Sequence, residues 1–93
     1  MIKGFIELRD KTVQIKDIDL SELQGGEVLL SKRDKDTFAI VARKMPTNIT
    51  LRICRVYHYL TGSIIYPTDS FIFAKPEFVK EDWWLAEKVV TVR

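Results

Sequence analysis

The chain has 93 residues, 46% hydrophobic and 30% charged, with a net charge of +2. That balance is too apolar for a disordered chain and too charged for a membrane protein, and the length suits one domain, residues 1–93, with one small core. No apolar run approaches the roughly 20 residues of a spanning helix, and Met1 to Asp10, charged at Lys3, Glu7, Arg9 and Asp10, offers no unbroken apolar stretch for export, so a soluble globule without membrane contact is expected.

Ile, Val and Thr supply 25 of the 93 residues, and these β-branched types favour strands. Ile2, Gly4, Ile6 and Leu8 alternate along a first strand, Arg9-Asp10-Lys11 is a hairpin break, and Val13 and Ile15 continue the alternation in a second. Asp19 with Glu22 three residues on has the pattern of a capping box, and Gly25-Gly26 that of a stop, so one helical turn is expected at about 20–24. Val28-Leu29-Leu30 and Thr37 to Ala42 flank the polar segment Lys32 to Asp36 as a second hairpin. Met45-Pro46-Thr47-Asn48 breaks the chain before the longest strand candidate, Ile49 to Tyr59. Leu60 to Ser63 then reads as a turn, Ile64 to Tyr66 as a strand, Pro67-Thr68-Asp69 as a further turn, and Phe71 to Ala74 as another strand.

Pro76 suits the first position of a helix and Glu77 the positive end of its dipole. Steps of 100° bring Phe78, Val79, Trp83, Leu85 and Ala86 into one arc opposite Lys80, Glu87 and Lys88, so a helix is predicted at about 76–87 and a final strand at about 88–92. The expected fold is mainly β: a small barrel or sandwich of six to eight short strands, one helical turn and one C-terminal helix. The alternative is an α+β sheet with the helix on one face.

Cys54 is the only cysteine, so no internal disulfide forms, whereas a small secreted domain would ordinarily carry several. The reducing cytoplasm is the expected compartment. The few amides (Gln14, Gln24, Asn48) against many Lys, Arg, Glu, Ile and Val lean towards a thermophilic protein.

Chemistry-bearing constellations are sparse. His58 is the only histidine, and neither Ser63 nor Ser70 sits in a nucleophile-elbow motif, so no catalytic residues and no enzyme are expected. Cys54 and His58 lack the further ligands of a zinc site, and Asp17, Asp19 and Glu22 lack the spacing of a calcium loop, so no metal or cofactor is expected.

One feature of the charge is uneven: from Thr37 to Thr68 there is no Asp or Glu, while Arg43, Lys44, Arg52 and Arg55 fall inside, a +4 segment in a chain of net charge +2. Tyr57, His58, Tyr59 and Tyr66 interleave with these bases. Base and ring together form the surface that single-stranded nucleic acid uses, cations on phosphates and rings on bases. Strict alternation nevertheless puts Arg52 and His58 on one face and Arg55, Tyr57 and Tyr59 on the other, so a single platform requires a bulge near Arg55 or Val56.

Trp84 falls among charged residues on the helix reading, as an interface anchor would; on a strand it belongs to the core. The expected function is a small non-catalytic binding module contacting nucleic acid through Arg43, Lys44, Arg52, Arg55, Tyr57, His58 and Tyr59. The alternative is a domain that binds another protein or itself through Trp84 and an open strand edge.

Overall fold

A computed structural model describes residues 2–8, 11–34, 36–59 and 62–87, with side chains described for 14–34, 36–57 and 64–86. Among the described residues seven strands occur: β1 (Ile2–Leu8), β2 (Lys11–Lys16), β3 (Val28–Ser31), β4 (Phe38–Lys44), β5 (Ile49–Tyr59), β6 (Gly62–Ala74) and β7 (Trp83–Glu87). They form one antiparallel sheet in the order β1-β2-β7-β3-β4-β5-β6. The mainly β expectation holds, but the sheet is open: among the described residues β1 and β6 are its two edges, rather than partners closing a barrel.

Among the described residues the consecutive strands pair antiparallel as β1-β2, β3-β4, β4-β5 and β5-β6, and β7 enters between β2 and β3. The expected turn at 20–24 is a 3₁₀ turn at Leu20–Glu22, capped by Asp19, whose carboxylate accepts the Ser21 backbone N–H at 3.0 Å and its hydroxyl at 2.7 Å. Gly25 and Gly26 follow at φ 128° and 90°, where a side chain is strained. The Glu27 carboxylate fastens this bend by accepting the N–H groups of Gln24 at 3.0 Å and Gly25 at 2.7 Å.

The C-terminal region departs from expectation. Helix α1 is Pro76–Asp82, seven residues, and Trp83 is already extended. Strand β7, Trp83–Glu87, thus occupies part of the expected helix; the expected strand at 88–92 lies outside the described residues. The cause is β7's position between β2 and β3, where it is apolar on both sides: Trp83 and Leu85 face one side, Trp84 and Ala86 the other. A continuous apolar run has no period to separate strand from helix.

The two faces carry two clusters. On one, α1 through Val79 and the 3₁₀ turn region through Ile18 and Leu23 cover Leu29, Ala39, Val41, Leu51 and Trp83. On the other, Ile15, Leu30, Phe38, Cys54, Ile65 and Ala86 are buried, with Val28, Ile40, Val56 and Trp84 packed against them.

The expected turn at Pro67-Thr68-Asp69 is instead a bulge inside a single 13-residue β6. Arg52 pairs with Phe71 and Cys54 with Pro67, so three residues of β6 oppose Ile53 alone. Proline donates no hydrogen bond and disturbs a ladder, but at a sheet edge it is tolerated.

Candidate interaction surfaces

The residues expected to form one basic and aromatic platform are divided between two faces and two ends of the sheet. Strand β5 keeps its alternation from Leu51 to Tyr57, because the extra residues of the bulge belong to β6. Arg52 therefore faces away from Arg55 and Tyr57.

Arg52 is held by β6. Its Nε donates to the Thr68 carbonyl at 2.5 Å, a terminal nitrogen lies 3.4 Å from Asp69 Oδ1, and the guanidinium stands 5.5 Å from the Phe71 ring centroid. Arg43 and Lys44 pair with Thr50 and Ile49 at the other end of β4, and Lys44 Nζ donates to the Leu20 carbonyl. At about 3.4 Å per residue, Thr50 and Tyr57 are separated by roughly 24 Å of strand. His58 and Tyr59 pair with Ser63 and Gly62 in the backbone ladder; their side chains lie outside those described.

Three members of the basic segment do meet on the α1 side, beyond the part of the sheet that α1 covers. Arg55 opposes Tyr66 across the ladder, and the Tyr57 and Tyr66 rings stand edge to face with centroids 5.1 Å apart. Tyr57 is exposed and Tyr66 half-buried. This is a small aromatic patch with one cation beside it.

Trp84 does not lie on the outer face of a helix. In β7 it opposes Leu30, packs half-buried against the cluster of Leu30 and Phe38, and has Lys32 Nζ 5.8 Å from its ring centroid. The open-edge part of the same expectation falls elsewhere, on β6. Beyond the bulge, Phe71, Ile72 and Phe73 are 46%, 43% and 74% exposed, three consecutive large apolar side chains on a strand whose outer edge has no partner among the described residues. Phe71 and Phe73 pair with Arg52 and Thr50 and share their face, while Ile72 pairs with Leu51 on the α1 side. The segment 70–74 contains no charge, and Asp69 and Lys75 bracket it, both exposed.

Phe71 and Phe73 were not singled out by the sequence. Their run was visible as a strand, but strand order alone decides that it is an edge.

Cys54 is buried opposite Phe38 and Pro67, and burial pushes its thiol above the ordinary range against the opposing influence of Arg52. Among the described residues no group of three or more His, Cys, Asp or Glu side chains is arranged to hold a metal ion, and no helix is long and apolar enough to cross a membrane. No protein-family model, curated protein or solved structure matches the chain.

Proposed function

We propose that the protein is a non-catalytic interaction module that takes an extended protein segment as an additional strand on the outer edge of β6. The observation that carries this reading is the run Phe71-Ile72-Phe73, exposed on both faces of a strand whose outer edge is unpaired among the described residues. Such an edge presents free backbone N–H and C=O groups to an incoming strand, and the exposed rings supply the apolar area that backbone pairing alone lacks. Edge strands are commonly guarded by charges, proline, bulges or extreme shortness; β6 carries Pro67 and its bulge before Ser70, but segment 70–74 beyond them contains no charge and no proline.

Selection of extended peptides from a displayed random library against the immobilised protein tests this reading. Binders should be recovered, and Ile72→Lys should abolish their binding while leaving the melting temperature near that of the parent. Binders indifferent to Ile72→Lys, or none, contradict it.

A second reading is favoured by Arg55, Tyr57 and Tyr66, whose shared surface offers ring area and one cation to single-stranded nucleic acid. With Arg52, Arg43 and Lys44 directed elsewhere, such binding is weak and involves few phosphates.

A further inference from the structure

We infer that the strand received by the β6 edge is β6 of a second copy, paired antiparallel about a twofold axis through Ile72. This rests on the reading of β6 as the docking edge and specifies its occupant. Charge order along the strand favours this occupant. When β6 is laid antiparallel on itself with Ile72 opposite Ile72, Phe71 meets Phe73, Ser70 meets Ala74, and Asp69 meets Lys75.

Because the axis repeats every contact, one register forms two aromatic pairs and two opposite-charge pairs. Directly opposed residues of an antiparallel ladder share a face, so Phe71 and Phe73, already on the Arg52 face of their own sheet, meet as cross-strand neighbours. Asp69 lies on that face beside Arg52, and Lys75, the residue that follows β6, continues its extended backbone up to the start of α1. The register is also selective. A two-residue slip that centres the axis on Phe73 sets Lys75 opposite Phe71, and one that centres it on Phe71 sets Asp69 opposite Phe73, so both lose the charge pairs.

Short strand pairing buries little area, so the assembly belongs with weak, concentration-dependent contacts. It joins two open sheets through their β6 edges and leaves each β1 edge outward.

Charge reversal with sedimentation equilibrium, up to about 1 mM protein, tests the inference. The parent should associate to a dimer and no further. Lys75→Asp places Asp opposite Asp69 in both pairs while leaving the Arg52–Asp69 contact intact, and should weaken association by roughly tenfold. The double variant Asp69→Lys with Lys75→Asp restores opposite charges in the same register and should recover most of the loss. If the two charges instead guard the edge against pairing, Asp69→Asn with Lys75→Gln will strengthen association, which overturns the inference. A parent that stays monomeric at about 1 mM overturns the second copy as occupant while the peptide selection still judges the edge. A dimer that survives both Ile72→Lys and Phe73→Lys uses another surface, which likewise overturns the inference and leaves the edge to the peptide selection.

Discussion

The hydroxyl of Thr68 donates to the carbonyl of Ile53 at 2.7 Å, at the point where the β5–β6 register slips. The same oxygen accepts the Ser70 N–H at 3.1 Å, so one side chain stands in for ladder bonds that the bulge interrupts. Arg52 adds its bond to the Thr68 carbonyl from the neighbouring position. The bulge is thus fastened to β5 from both sides, and the 70–74 segment beyond it resumes the ladder with Phe71 opposite Arg52.

Thr68→Val keeps the shape but removes the donor, leaving the Ile53 carbonyl and the Ser70 N–H short of a partner. A loss of about 1–2 kcal/mol in urea unfolding is expected, with Thr68→Ser recovering most of it. Equal stabilities for Val and Thr at this position contradict the role given to the hydroxyl.

The two tryptophans give a second comparison. Trp83 is 9% exposed beneath α1, so Trp83→Ala should cost about 3–5 kcal/mol. Trp84, half-buried on the opposite face, should cost less and leave self-association unchanged. A Trp84→Ala variant of parental stability but reduced association would return Trp84 to an interface.

Cys54 should be slow to modify. Its raised thiol pKa and burial both reduce the thiolate available at neutral pH. Labelling by a thiol reagent at pH 8 should be more than tenfold slower in the folded chain than in urea, and Cys54→Ala should change stability by about 1–2 kcal/mol. Fast labelling of the native protein would contradict the placement.

Acid should loosen the Gln24–Glu27 bend. Burial opposes ionisation of Glu27, but the N–H groups of Gly25 and Gln24 outweigh it and hold the carboxyl below its ordinary 4.5. The lowered value means that the folded state binds the proton less readily than the unfolded chain. The stabilisation is therefore present above about pH 4.5 and is lost as pH falls through the folded value. Asp19 and Asp34, lowered chiefly by side-chain hydrogen bonds from Ser21 and Thr37, act in the same direction. Glu27→Gln should melt lower than the parent at pH 7 and converge with it as the pH falls through the lowered folded value of Glu27; an undiminished gap at low pH would show that the charge is not what matters.

Much of the strand pattern was legible in the sequence. Alternation at Ile49, Leu51 and Ile53 and the polar breaks around Lys11 and Asp34 act locally, and local rules describe them. Trp83 to Ala86 fit a helical pattern because a strand buried on both faces has no alternation to show, and insertion between β2 and β3 is a long-range event. The basic platform was less legible still. Its assembly depended on whether a bulge fell in β5 or β6, and the pairing of Thr68 with Ile53 decided that in favour of β6.

If nucleic acid binds at Arg55, Tyr57 and Tyr66, its salt dependence should be shallow. One phosphate contact on a single strand gives a log-log slope of about −0.7, against nearly −3 for four converging cations. Tyr57→Ala should weaken such binding by about 1–3 kcal/mol without altering the slope, since stacking releases no counterions. A slope near −3 would mean that Arg43, Lys44 and Arg52 join Arg55 on the ligand.

The central claim, that the outer edge of β6 is the contact element, is tested most directly by amide hydrogen exchange followed residue by residue at two protein concentrations. At about 10 µM the outward-pointing amides of Phe71 to Ala74 should exchange quickly, and at about 1 mM they should become protected while those of Arg55 to Tyr57 do not change. Protection that is the same at both concentrations in 70–74, or that rises instead on another strand, would contradict the account.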